Sequence, residues 1–295
     1  MNSERKGAFI LVIATFLAAW GWIFSKQTIQ GLPPFGFIGL RFVGASLCLL
    51  PFCYKSIRAT AWSDIVRVAG IGSLLGVVLV TWVYAVSISE TLGEGAFIMS
   101  LSMLIAPLVA WMMFGDKPQR VFWLSLPIAI VGLAFLSIAD GWKSDPSQWW
   151  FLGNAIIIAI YFNVNAKYAK RMPIMMLTCI QLFMTGVIGL VMSAAFETPP
   201  DSVENSIWVW FALSMLLATS IRYLMQISGQ KYASPTNAAL LMLLEPVWTV
   251  ILSIYWFDEQ MTTNKFIGCA LIMFALVVYR TGGRFRRRKL TMQQG

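Results

Sequence analysis

The sequence predicts an all-α membrane protein with ten transmembrane helices in two inverted five-helix repeats. Three observations carry that expectation: the composition, the sorting of basic residues between alternate loops, and motifs that recur half a chain apart. Of 295 residues, 58% are hydrophobic and 12% charged, and mean hydropathy is +0.73. Soluble domains carry roughly 25% charge, so this chain belongs in lipid. The absence of His removes imidazole catalysis, His-ligated metals and His proton relays. The net charge of +9 sits in short clusters between apolar runs. That pattern indicates topology and contact with anionic lipid headgroups rather than nucleic acid. Cys48, Cys53, Cys179 and Cys269 fall inside apolar runs without C-x-x-C spacing, so they read as small buried hydrophobes. No cofactor, metal or disulfide framework is expected.

Each apolar run of span length is bounded by charge, Gly or Pro. The first, 7–25, follows Arg5 and Lys6. It is too long for a signal-peptide core and lacks a small-x-small cleavage site, so it is retained as a helix. Run 34–53 begins at Pro33-Pro34 and ends before Lys55 and Arg58. Run 68–88 follows Arg67 and carries Gly72-x-x-x-Gly76, a close-packing motif. Run 95–114 contains Met99, Met103 and a kinking Pro107. Runs 121–139 and 149–168 flank a polar connection with Asp140, Lys143 and Asp145. Run 174–195 follows Pro173, and run 207–227 contains Arg222. Run 236–256 holds Glu245 beside a second kinking proline, Pro246, and run 266–280 leads into a basic tail. The expected organisation is a first repeat at 7–140, a second at 149–281, and a cytoplasmic tail at 282–295. Trp142, Trp149, Trp150, Trp208, Trp210, Tyr255 and Trp256 lie near run ends, as an interfacial aromatic belt requires.

Counting Lys and Arg in alternate loops tests this scheme. With the N-terminus inside, 17 fall on the cytoplasmic side and three, Lys26, Lys143 and Lys265, on the other. Arg41 and Arg222 lie within spans. Most acids sort the opposite way: Glu90, Glu94, Asp140, Asp145, Glu197, Asp201, Glu204, Asp258 and Glu259 all fall outside. Adding or removing one helix scrambles both patterns, so an even number of spans with both termini cytoplasmic is expected.

The two halves correspond at an offset near 140. Trp20-Gly-Trp-Ile-Phe-Ser-Lys26 lies against Tyr161-Phe-Asn-Val-Asn-Ala-Lys167, and Pro33 and Arg41 lie against Pro173 and Gln181. Tyr84 lies against Tyr223, and Pro107 against Pro246. Five helices per repeat is an odd number, so the second repeat enters the membrane inverted. Inverted repeats suit alternating access, because exchanging the conformations of the halves converts an inward-facing state into an outward-facing one.

The same residues carry a family resemblance. Ala19-Trp20-Gly21 with Lys26, then Pro33, Pro34, Phe37 and Arg41, then Leu244-Glu245-Pro246-Val247 followed by Asp258-Glu259, resemble the motifs of the EamA branch of the drug/metabolite transporter superfamily. The resemblance spans roughly residues 7–280. Asp116 stands where that family usually has Glu, only nine residues after Pro107, and Tyr161 replaces a usual Trp. The resemblance implies a plasma-membrane carrier of small metabolites in a bacterial inner membrane, often an exporter of amino acids or related compounds.

Three charges inside spans need a reason, since each costs at least ~2.5–3.5 kcal/mol at the bilayer centre. Glu245 is about ten residues into its helix, or ~15 Å deep at 1.5 Å per residue. Desolvation there makes it a candidate proton-coupling site; pairing with Arg41, or capping backbone freed by Pro246, is the structural alternative. Arg41 is a candidate for a substrate carboxylate, or Glu245's partner. Arg222 either faces a substrate or snorkels to the interface. Thr219, Arg222, Tyr223 and Gln226 share one helical face by spacing. Trp20 and Phe24, with Tyr161, Asn163 and Asn165 at matching positions, and Tyr84 with Ser87, are cavity candidates or packing aromatics.

The expected partners are a small-molecule substrate, membrane lipids and protons. A membrane-embedded enzyme lacks its requirements here: there is no His, G-x-S-x-G, P-loop or acidic pair at helical spacing within a span. A passive channel or an assembly scaffold has no need of an inverted repeat.

Overall fold

A backbone in lipid must satisfy its own N–H and C=O groups, so long apolar runs become helices. The computed structural model describes residues 3–115, 117–118, 120–138, 145–169, 172–232 and 241–292. Asp116, Asp140, Lys143, Lys170 and Arg171 lie outside the described residues. Among those described there is no strand. The helices are α1 (Ser3–Thr28), α2 (Pro34–Arg58), α3 (Trp62–Ile88), α4 (Leu92–Ser100), α5 (Ser102–Phe114) and α6 (Arg120–Ile138). Next come α7 (Pro146–Ala169), α8 (Ile174–Phe196), α9 (Asn205–Met215), α10 (Arg222–Tyr232), α11 (Leu244–Phe257) and α12 (Thr263–Met292). Among the described residues, six stretches are long and apolar enough to cross a membrane: Glu4–Thr28, Pro34–Arg58, Trp62–Ile88, Leu92–Phe114, Met175–Phe196 and Asn205–Gln226. Arg120–Phe135, Leu244–Phe257 and Thr263–Tyr279 are shorter apolar helices.

Three expected spans are not continuous α-helices. Run 95–114 is interrupted at Leu101, and the described part of run 236–256 at Leu243. Both residues stay near the helical region but with ψ drawn toward zero, −21° and −9°. At Leu101 the amide bonds to the Ile98 carbonyl three residues back, and the Ser100 hydroxyl donates to the Phe97 carbonyl at 2.6 Å. Such local bonds compete with the helical ladder. At Leu243 the reason is Pro246. It becomes the third residue of α11, where its missing N–H belongs to a turn whose donors have no intrahelical acceptor anyway. Pro107 lies inside α5, six residues beyond the interruption at Leu101. In run 207–227, α9 and α10 are joined by a π-helical turn, Leu216–Ile221.

The chain forms two compact units. The Arg41 unit comprises Leu17–Ile88 and Tyr161–Ile227; the Glu94 unit comprises Met1–Phe16, Ser89–Ile160 and Ser228–Gly295. Each therefore takes corresponding stretches from both halves of the sequence.

In the Arg41 unit α8 packs against α2 and α3 through glycines. A Cβ at Gly189 would lie 2.6 Å from the Gly39 nitrogen, and one at Gly186 2.6 Å from the Val43 nitrogen. One at Gly72 would lie 2.7 Å from the Gln181 Cα. In lipid no hydrophobic force draws helices together, so close backbone approach of this kind is what holds them. In the Glu94 unit α6 packs on α12, where a Cβ at Gly132 would meet the Gly268 carbonyl at 2.9 Å. There α4 lies on α11, with Gly93 against Val250 and Ser253.

Candidate functional site

Arg41 is the centre of the polar interior of its unit. It is 6% exposed, on a helix whose neighbours are mostly apolar. Its Nε donates to the Thr219 hydroxyl at 2.7 Å and its Nη1 to the Ser25 hydroxyl at 2.9 Å. The rings of Phe37 and Phe42 flank the guanidinium at 5.5 and 5.4 Å. Among the described residues no carboxylate pairs with it. A guanidinium has five N–H donors, and hydroxyls occupy two of them. Arg41 Nη2 lies near Gly21, where a Cβ would be 3.6 Å away.

The π-helical turn supplies one of these hydroxyls. Widening the helix frees carbonyls from the ladder, and the Thr219 and Ser220 hydroxyls take up those of Ser214 and Met215, each five residues back, at 3.0 Å. Thr219 is 1% exposed and presents its oxygen to Arg41. Such bulges recur at functional sites. Arg222 opens α10 and lies half-buried over the Tyr223 ring at 4.9 Å. Both lie within electrostatic range of Arg41. Gln226 is half-buried, and its Oε1 has no hydrogen-bond partner among the described residues.

Trp20 and Phe24 stack at 5.3 Å, and Phe24 also meets Trp210 at 5.9 Å. Tyr161 donates to Gln181 Oε1, and Gln181 Nε2 to Asn165 Oδ1, both at 2.8 Å. Asn163 is half-buried beside them in sequence. Tyr84 is exposed, and Ser87 is spent on the Tyr84 carbonyl at 2.7 Å. Sequence reasoning did not select Ser25, Gln181 or Trp210 for the site. A signal for two of them was present. Arg41 reaches back 16 residues to Ser25, and Gln181 reaches back 16 to Asn165. The two hydrogen bonds are the same contact displaced by the repeat offset.

Glu245 lies in the other unit. It occupies the first turn of α11, directly after the interruption at Leu243, and is half-buried. Its backbone carbonyl accepts the Thr249 hydroxyl at 3.0 Å. One turn on, Trp248 meets Phe16 edge to face at 5.7 Å.

Two stretches of the chain, 5–138 and 146–281, match the EamA-like transporter family. An uncharacterized transporter of Archaeoglobus fulgidus is 24% identical over 277 residues, covering 91% of this chain and 84% of that one. The uncharacterized inner membrane transporter YedA of Escherichia coli is 23% identical over 278 residues, with 89% and 87% covered. The uncharacterized transporter YwfM of Bacillus subtilis is 21% identical, covering 96% of both chains. A solved crystal structure shares the fold, with a TM-score of 0.64 at 19% identity over 93% of this chain and 96% of that one.

Proposed function

Because the chain belongs to the EamA-like transporter family and is a multi-pass membrane protein, we propose that it exports small metabolites by alternating access. Its substrates on this reading are amino acids or related amphipathic compounds that carry a carboxylate. The observation that carries the substrate class is Arg41: a buried guanidinium held by two hydroxyls, with donors to spare and no carboxylate partner among the described residues. A bidentate carboxylate is the group that guanidinium geometry accepts best. The aromatic pair Trp20 and Phe24 with Trp210 offers the apolar part of such a substrate a surface. Ten spans, with an inverted second repeat and both termini cytoplasmic, complete the proposal. The matching hydrogen bonds of Arg41 and Gln181 support the repeat, and the positive-inside count supports the orientation.

The test is counterflow of labelled amino acids in proteoliposomes containing the purified chain. Free carboxylates should compete, and the corresponding methyl esters should not. Arg41→Gln should lower carboxylate counterflow about ten- to hundredfold, the equivalent of about 1.5–3 kcal/mol for a charge-assisted hydrogen bond. Esters that compete as well as acids would sink the substrate assignment. Flux that does not saturate would favour a passive channel, and no flux at all an assembly scaffold.

A further inference from the structure

The Glu94 unit contains a second polar cluster, separate from Arg41 and from Glu245, where the first turns of three helices meet the α11–α12 connection. Glu94, third residue of α4, is 2% exposed. Its Oε1 lies 2.7 Å from Lys265 Nζ, in the first turn of α12, with both side chains almost wholly buried. Its other oxygen accepts Gln148 Nε2, from the first turn of α7, at 2.9 Å. Glu259 joins from the connection, its Oε2 accepting the Gly93 N–H at a long 3.4 Å. On α11 the Ser253 hydroxyl donates to the Val250 carbonyl at 3.0 Å, and Cys269 on α12 lies within electrostatic range of both acids.

Among the described residues, two carboxylates against one ammonium leave the cluster with one excess negative charge in buried surroundings. Two acceptors there have no donor among the described residues: Gln148 Oε1, on a residue only 9% exposed, and Glu259 Oε1. Buried oxygens without donors are rare in folded proteins, and each needs an explanation. A metal cation would have to sit beside the Lys265 ammonium and be repelled by it. A proton adds the missing charge and a donor together, with no ion to desolvate. We propose that Glu259, tied to the Gly93 N–H beside the Glu94–Lys265–Gln148 group, forms with Glu94 a binding site for a single proton, carried on Glu259.

Glu259 is the member that takes the proton because Glu94 already has the ammonium and the amide. Burial first, and the charge of Glu94 with it, hold the Glu259 carboxyl above the usual carboxylate range, against the opposing pull of the Gly93 N–H and Lys265. Protonation weakens what Glu259 accepts from Gly93, so the proton loosens the tie between the α11–α12 connection and the start of α4.

The test needs no substrate, so its result is independent of the transport reading. Infrared pH-difference spectra of the purified full chain should show a protonated-carboxyl band that titrates above the ordinary carboxylate range. The band should vanish in Glu259→Gln and persist in Glu245→Gln. A band that survives Glu259→Gln, or no band titrating above that range, would overturn the proposal. If Glu259→Gln does not fold, Glu259→Asp decides. Shortening the acid changes the carboxyl that carries the proton, so the band should shift in frequency and midpoint, and an unmoved band counts against the site.

Discussion

Lys26 and Lys265 show how a single side chain departs from a rule obeyed by most of the sequence. They are two of the three basic residues that the expected topology puts on the side where acids predominate, and each has a local partner. Lys26 Nζ donates to the Val86 carbonyl at 2.8 Å, in the last turn of α3, where the helix dipole favours a cation. Lys265 neutralises buried Glu94. A lone basic residue on the acidic side was therefore the sequence signal for the cluster at Glu94, but its partner could not be read from it. The partner lies 171 positions away, and a charge count carries no distances. Glu245 belongs at this scale too. Gln at 245 keeps shape and hydrogen-bonding capacity but cannot titrate. If Glu245 couples transport to protons, Glu245→Gln should fold and bind substrate, lose accumulation driven by a pH gradient, and retain exchange at equal pH. Gradient-driven transport at the parental rate in the well-folded variant would leave Glu245 without that role.

Helices begin and break here for reasons of differing reach. The start of α2 is legible locally, since Pro33-Pro34 fixes φ for the first turn. What completes it is remote. The Phe35 and Gly36 N–H groups donate to the two oxygens of Glu197, past the end of α8, at 2.7 and 2.8 Å. A carboxylate there satisfies two orphan donors and meets the positive end of the helix dipole. Glu197→Gln keeps one acceptor and turns an NH2 toward the other N–H. It should destabilise the protein by about 1–2 kcal/mol, read as a lower thermal midpoint in detergent; an unchanged midpoint would mean that water serves as well. The interruption before Pro246 is likewise local in origin. The π-helical turn at Leu216–Ile221 is not, because nothing in Leu-Leu-Ala-Thr-Ser-Ile announces it. It is seen only where the Thr219 hydroxyl meets Arg41, 178 positions away in sequence.

For the molecule as a whole, topology is the property on which most of the functional reading depends. Both termini are expected in the cytoplasm, because that orientation puts 17 of the 20 basic residues outside spans on one side. In intact cells, Asp145→Cys should react with an impermeant thiol reagent and Arg286→Cys should not, in a background lacking the four native Cys. The opposite labelling would invert the chain and remove the basis for reading it as an exporter.

Composition, run length and charge sorting were enough to say that this is a helical membrane protein, and the recurrence of motifs at one offset was enough to say that its halves are related. These properties are additive along the chain, so they survive without coordinates. The grouping of segments into compact units was not accessible that way. Leu17–Ile88 joins Tyr161–Ile227 because Gly39, Gly186 and Gly189 let α2 and α8 touch backbone to backbone. Glycines elsewhere in the chain, such as Gly70 and Gly153, meet nothing within 4 Å, and the sequence does not distinguish the two kinds. The partners of the buried charges were settled in the same way. Arg41 was conspicuous as an ion in an apolar run, but its hydroxyl neighbours come from helices that only packing brings together. A charge in lipid advertises its own cost, whereas the group that offsets it is chosen by the fold.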